Sequence, residues 1–324
     1  MRQPGPVTIL GQGIAGSLLA WELRQRRIPF RILDPGRGDG SSLVGAGIMN
    51  PITGQRLVPS WRWSAHLPIA LEVYRGLGDA FGEHFVRPFR IQRLVASRRE
   101  ERILASRIAS GELRPHVAQT FPGGCWIEGA WQLDSRRLVC RLREMFRSWG
   151  VLEETEGSPD LGGTVICCTG AALQAGLGAL QPVEGAVIEF QTAGLEPGVI
   201  LNRGVWVLPL DSSRARAGST YWKSTTTAGE RAEDIAQLSE SVAELVRQPL
   251  HEVTTLTGWR VTTPDKHPVA GWLGSPGKFG VINGLGAKGA LHAPALARMW
   301  ADHLDGQREL DAAFCPTRFS NRKA

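Results

Sequence analysis

The sequence predicts an α/β fold in two lobes: a parallel sheet flanked by helices, and a second lobe of largely antiparallel sheet. Three observations predict it. The apolar run Val7-Thr8-Ile9-Leu10 leads straight into Gly11-x-Gly13-x-x-Gly16, followed by a helical pattern and a second apolar run from Phe30 to Leu33. Strand-like segments follow one another without an intervening helix from Pro182 to Trp222. From Leu256 the pattern returns to a strand, a glycine turn (Gly284 to Ala290) and a helix (Ala293 to Leu304), so the parallel-sheet lobe is expected to be discontinuous.

The first segment is a Rossmann-like βαβ unit. Gly11 permits the sharp turn out of the strand, Gly13 lets a pyrophosphate approach the backbone, and Gly16 lets the helix pack close to the strand. The helix over Ser17 to Arg27 sets Leu18, Leu19 and Leu23 on one face, and the N–H groups around Ile14 and Ala15 face the diphosphate. Asp34 stands eighteen residues after Gly16, where a carboxylate accepts hydrogen bonds from ribose hydroxyls. An acid there favours FAD or NAD over a dinucleotide with a 2′-phosphate. The competing reading is an adventitious glycine turn.

Pro35 to Ser42 has loop composition, including Ser41 and Ser42, and leads into Gly45, Ala46, Gly47 and Ile48. So many small residues imply backbone wrapped around an extended ligand, as FAD requires and a nicotinamide does not. A glycine-rich surface loop is the plain alternative. Ile69 to Phe85 predicts an amphipathic helix, Phe89 to Ala96 and Trp126 to Leu133 strands, and Arg98 to Ala109 a charged helix, with Leu113 to Gly124 irregular. Trp126 and Trp131 are expected to pack in the core or a lid. Asp134 to Trp149 predicts a helix capped by Asp134. Thr164 to Cys168 predicts a buried strand whose end, Thr169-Gly170-Ala171, meets the ligand. Strands are expected over Pro182 to Phe190, Gly198 to Asn202, Val205 to Pro209 and Arg216 to Trp222, and a helix over Glu230 to Arg247. The basic tail from Phe314 is expected to fray.

The 324 residues, 42% of them hydrophobic, suffice for a large core. Nothing at the N-terminus has the form of a signal peptide, and no stretch nears about 18 uninterrupted apolar residues. A cytoplasmic protein without a membrane span is expected. Five cysteines, none in a CxxC pair, argue against a disulfide framework or a metal site. The net charge of +6 comes from arginine. It suits anionic cofactors, and a nucleic-acid partner is the sharper, less favoured reading because acids interrupt most basic clusters.

Together the motifs resemble the D-amino-acid oxidase-like flavoproteins, which include glycine oxidase, sarcosine oxidases and glycerol-3-phosphate dehydrogenase. The matching residues are Gly11-x-Gly13-x-x-Gly16 with Asp34, Ala46-Gly47, Thr169-Gly170-Ala171 and Pro182-x-x-Gly185. They continue with Gly258-x-Arg260, Thr263-Pro264-Asp265-x-x-Pro268-x-x-Gly271 and Gly284-x-Gly286-x-x-Gly289. Gly286-Ala287-Lys288-Gly289 followed by Ala293-Pro294 is most similar to the oxidase half of the bifunctional enzyme that matures the wobble uridine of tRNA. The resemblance implies FAD, hydride transfer from an amine Cα–H to flavin N5, and hydrolysis of the imine. It also implies that Arg260 binds a carboxylate, that Tyr221 or Trp222 lines the pocket, and that Lys288 stabilises the reduced flavin. A structural arginine satisfying carbonyls is the alternative for Arg260. Departures are Val261 in place of the usual proline, and Tyr221-Trp222-Lys223 where members often carry a small residue and an acid. Covalent attachment at Cys315 is not expected. His267 is read as surface structure, and no general base is nominated.

The expected fold class is therefore α/β: a Rossmann-like FAD-binding domain of the glutathione-reductase type with an antiparallel-sheet α+β substrate domain. The FAD-binding domain comprises 1–70, 130–180 and 256–324, and the substrate domain 71–129 and 181–255. The expected activity is FAD-dependent oxidation of a small amine or amino acid. The rivals are a tRNA-modifying oxidase and a flavin-binding redox sensor without turnover. Neither the exact substrate, the electron acceptor nor the oligomeric state is fixed by the sequence.

Overall fold

The computed structural model describes residues 6–36, 38, 40–117, 119–155, 161–172 and 179–319. Its first layer is a six-stranded sheet in the order Val269–Trp272, Phe279–Asn283, Thr164–Cys167, Val7–Leu10, Phe30–Leu33 and Leu152–Glu153. All pairings are parallel except that of the first two strands. Alternation along Thr164–Cys167 sends Ile166 to one face and Val165 and Cys167 to the other, each into its own apolar cluster. The helix Ile14–Gln25 packs beside Gly289–Leu304 on the Ile166 side. There Trp300, fully buried, lies over Gly280, where a Cβ would stand 2.4 Å from the ring, and donates from Nε1 to the Val281 carbonyl at 3.1 Å. Losing such a side chain costs about 3–5 kcal/mol.

The second layer is a nine-stranded sheet: His251–Thr262, Gln181–Gln191, Arg214–Gly218, Val205–Pro209, Val199–Arg203, Val86–Leu94, Gly124–Leu133 and Ile48–Met49, with Gln119–Phe121 on Gly124–Leu133. It is antiparallel save for one seam, where Val199–Arg203 runs parallel to Val86–Leu94. The helix Ala228–Val246 covers one face through Leu238, Val242 and Leu245 and starts with a capping box between Thr227 and Glu230. The opposite face looks toward the first layer.

Local signals placed most elements within a few residues. Asp134 caps Ser135–Ser148 by accepting from the Arg137 N–H at 3.1 Å. The helix Trp63–Phe81 starts six residues before the expected position and continues through Pro68. The helix Gly289–Leu304 takes in the end of the glycine turn. Expected boundaries at 70/71, 129/130 and 255/256 fall inside the continuous elements Trp63–Phe81, Gly124–Leu133 and His251–Thr262. Trp126 and Trp131 are half-buried beneath Arg90 and Arg75.

Two expectations are corrected. Residues 314–319 do not fray: Phe314 is buried against Trp61 and His66, and Arg318 bonds Asp265 and the carbonyls of His267 and Pro268. Only 320–324 of that tail lie outside the described residues, as do Arg37 and Asp39 of the expected loop. His267 is no free surface residue, since it stacks on Trp61 with centroids 4.2 Å apart.

Candidate active site

Three parallel strands end side by side, because Leu10 is in register with both Leu33 and Cys167. Gly11, Asp34 and Cys168 therefore converge. Gly11 has φ +94°, and a Cβ on it would stand 2.7 Å from the Cys168 carbonyl oxygen. A Cβ on Gly16 would stand 1.9 Å from the Gly11 oxygen, so helix and turn touch only because glycine is there. The helix starting at Ile14 has no side-chain cap at Gly13; its Ile14 N–H donates to Ser42 Oγ at 3.0 Å. Uncapped first-turn N–H groups make this end electropositive.

Asp34 is more engaged than its sequence context implies. It accepts from the N–H groups of Gln12 and Gly36 and from Arg143, each at 2.8 Å. Arg143 also bonds Gln12 Oε1 at 2.9 Å and Glu154. Sequence reasoning missed Arg143, which lies on the polar face of an amphipathic helix where nothing local distinguishes it from a solvated arginine. The following short helix, Ser41–Val44, and the turn after it are held by Arg216, which donates to the carbonyls of Val44 and Gly45 at 3.3 and 3.0 Å while pairing with Glu189. Gly47, φ +67°, sits so close to the Leu133 carbonyl that a Cβ would lie 1.9 Å from its oxygen.

These segments line one groove of about 1210 Å³ between the two layers. Its wall includes Gly11, Gly13, Ile14, Ala15, Asp34, Ser41, Ser42, Ala46, Gly47, Ile48, Thr169, Gly170, Gly258, Gly286, Ala287, Lys288 and Gly289, together with Tyr221 and Arg260. Gly16 is the one nominated cofactor residue outside it, in keeping with its packing role. Asn283 donates to the Gly170 carbonyl at 2.9 Å and fixes that turn. Gly286, φ +54°, donates to the Val261 carbonyl at 2.7 Å and joins the second glycine turn to the roof.

The roof is the nine-stranded sheet. Arg260 projects over Gly185, where a Cβ would stand 2.2 Å from its Nη2. Nη2 donates to the Thr220 carbonyl at 2.6 Å, Nη1 to Ser219 Oγ at 3.1 Å, and the guanidinium lies 4.1 Å from the Tyr221 ring centroid. Trp222 is corrected: it is buried, donates to Asp234 at 2.9 Å and lies under Arg231, away from the groove. Lys288 precedes the helix Gly289–Leu304, and burial holds its ammonium below the usual lysine range. Behind it, His66 and His292 are hydrogen-bonded through their Nδ1 atoms at 2.9 Å. Burial depresses both, His66 to about 4, aided by Arg62, and His292 to about 3, aided by His66. Neither these two histidines, nor His267, nor Cys315 lines the groove.

The Thr263-Pro264-Asp265 stretch is structural. Thr263 Oγ1 and the His267 N–H donate to Asp265, which Arg318 also pairs. Burial alone would raise the Asp265 carboxyl, but these partners hold it well below the carboxylate range. Among the described residues no group of three or more His, Cys, Asp or Glu could hold a metal. No described helix is long and apolar enough to cross a membrane.

A family model described as FAD dependent oxidoreductase matches residues 6–303. The tRNA 5-methylaminomethyl-2-thiouridine biosynthesis bifunctional protein of Maricaulis maris is 29% identical over 347 residues, covering 99% of this chain and 56% of that protein. Its counterpart in Idiomarina loihiensis is 26% identical, covering 93% and 56%. The chain thus spans little more than half the length of these relatives. Among solved structures, iminodiacetate oxidase from Chelativorans sp. BNC1 matches with TM-score 0.77 at 19% identity, covering 96% of this chain and 98% of that one. Glycine oxidase from Geobacillus kaustophilus matches with TM-score 0.75 at 22% identity and the same coverage.

Proposed function

The chain belongs to the FAD-dependent oxidoreductase family, and from that premise we propose that it oxidises an amine that also carries a carboxylate, an amino acid or N-substituted glycine. Bound FAD supplies the acceptor for the hydride that leaves the substrate carbon. The turn Gly11 to Gly16 and the helix it starts would hold the diphosphate, Asp34 the ribose, and residues 45–48, 169–170 and 286–289 the remainder. The fit rests on the cradle itself: at Gly11 and Gly47 a side chain would collide with backbone, and at Gly13 nothing but Ser42 Oγ, 3.4 Å away, comes near.

Arg260 carries the reading. Two hydrogen bonds fix its guanidinium, yet three of its five N–H donors remain, enough for a bidentate carboxylate. No acidic side chain pairs with it among the described residues. It is at once a structural arginine for the Thr220 carbonyl and a cation facing the groove. Lys288 places a second positive charge on the opposite wall, where it opposes negative charge developing on the reduced cofactor. A substrate amine arriving neutral requires no general base, and among the described residues no histidine or glutamate, and no aspartate but Asp34 at the nucleotide end, lines the groove.

The test is anaerobic bleaching of the flavin by glycine, sarcosine, N-benzylglycine, proline, D-amino acids and glycerol 3-phosphate. Reduction by the carboxylate amines, weakened in Arg260→Ala, supports the reading; reduction by none of them, or an unaffected variant, overturns it.

A second reading, oxidation of a carboxymethylamino group on tRNA, is favoured by the relatives named above. Against it, part of the arginine excess is internally neutralised, with Arg26 on Glu22 and Asp302, and Arg137 and Arg141 on Glu83. Binding of tRNA that weakens steeply as salt rises supports this second reading; absence of binding at low salt removes it.

The two-lobe division into 1–70, 130–180 and 256–324 against 71–129 and 181–255 is retained as a proposal, with the edges at 70, 130 and 256 moved to the ends of the elements they cut.

A further inference from the structure

One row of the roof runs away from Arg260. Residues in register on neighbouring strands share a face of the sheet. The registers link Val187 to Gly218, Gly218 to Trp206, Trp206 to Asn202 and Asn202 to Arg93. Val187, Trp206 and Asn202 all line the groove. A Cβ on Gly218 would stand 2.8 Å from Cζ2 of Trp206 and 3.0 Å from the Val187 side chain. The indole therefore lies across the glycine, half-buried, as an aromatic platform in the roof.

Asn202 beside it is held in one orientation. Arg93 donates to its Oδ1 and to Glu100, and both charged residues are more than nine-tenths buried. A guanidinium has no acceptor, so the amide oxygen must face Arg93 and Nδ2 must point away from it. Among the described residues no acceptor pairs with Nδ2. A buried ion pair is a costly way to stabilise a sheet; here it fixes the direction of one amide donor.

We propose that Trp206 and Asn202 form a distal subsite for a planar ring bearing a carbonyl oxygen, carried on the amine nitrogen of the substrate. The inference rests on the amine-oxidation reading above and names the N-substituent that reading leaves open. The ring stacks on the indole and its carbonyl accepts from Asn202 Nδ2. The strand carrying Gly185, beneath Arg260, lies three strands from Asn202, about 14 Å at the usual spacing. An amino acid without such an arm, held by Arg260, leaves this subsite unused. A charged ammonium arm, which cannot accept, would find only a donor there.

The experiment uses two acids in which sulfur replaces the amine, (benzylthio)acetate and (4-carbamoylbenzylthio)acetate, titrated calorimetrically into the FAD-loaded full chain. The carbamoyl probe is expected to bind about fivefold to tenfold tighter, the worth of one neutral hydrogen bond. Asn202→Leu should abolish that preference while leaving the benzyl probe within about twofold. Asn202→Asp, which keeps the shape and a partner for Arg93 but removes the donor, should abolish it as well. Trp206→Ala should weaken both probes. Equal affinity of the two probes for the parent, failure of either to bind, or a preference that survives both Asn202 variants overturns the subsite. Flavin bleaching by N-benzylglycine and sarcosine separately decides the amine-oxidation reading, so the two failures are distinguishable.

Discussion

The two ends of the groove are made in different ways. The nucleotide end is built from backbone: glycines at 11, 13 and 16, one uncapped helix start, and a carboxylate at the end of the next strand, all within 28 residues of sequence. The roof end is built from side chains that meet only across strands, Arg260 over Gly185 and Trp206 over Gly218 beside Asn202. A backbone site tolerates little change in its glycines and recognises what every such cofactor shares. A cross-strand site can change one side chain at a time, so under the proposed function it is the end that would set substrate choice.

That contrast makes Gly16→Val the most damaging single change, because its Cβ would overlap the Gly11 carbonyl 1.9 Å away. A loss above about 4 kcal/mol is expected, as for the worst buried substitutions, seen as insoluble or colourless protein. A soluble, yellow variant would break the comparison. Acid should act next, outside the groove, through the buried pair His66 and His292. Their folded pKa values, about 4 and 3, lie below the ordinary 6.5. The unfolded chain therefore binds protons first as pH falls, and stability declines from about pH 6.5 down to about pH 4. The loss is on the order of 3 kcal/mol for each histidine, and His292→Asn should flatten the pH dependence of urea midpoints over that window.

At the roof, Arg260→Ala should weaken a carboxylate substrate by about 2 kcal/mol, roughly thirtyfold in kcat/KM, with FAD retained. Arg260→Lys should recover part of it but not the bidentate contact. Gly185→Ala sharpens the point without removing a charge, since its methyl would meet both the Arg260 Nη2, at 2.2 Å, and the Thr220 carbonyl oxygen that holds it, at 2.3 Å; about a tenfold rise in KM with an unchanged flavin spectrum is expected. Ser42→Ala, which removes the oxygen that accepts from the Ile14 N–H, should cost about 1 kcal/mol of FAD affinity. A larger effect there than at Arg260 would reverse the ranking of the two ends.

Much of the frame was legible because it is periodic or local. The turn after Leu10, the Asp134 cap and the strand Phe279–Asn283 all follow from residues a few positions apart. Other features were not. Trp222 looked like a pocket residue, yet it faces Asp234, held by an isolated antiparallel bridge to Glu184 beyond the end of the strand Arg214–Gly218. Arg143 and Arg216 resembled surface charge until folding brought them to Asp34 and to the Val44 and Gly45 carbonyls. The tail looked mobile until Phe314 found Trp61 and His66.

By itself the sequence determined the α/β class, the dinucleotide turn and the order of elements, since apolar periodicity and glycine placement act through neighbours in the chain. Only the tertiary structure decided which arginine is spent on a carbonyl, which tryptophan is buried, and that Asn202 turns its amide toward the groove. Those outcomes depend on strand register between segments up to a hundred residues apart, and register is a property of the packed sheet.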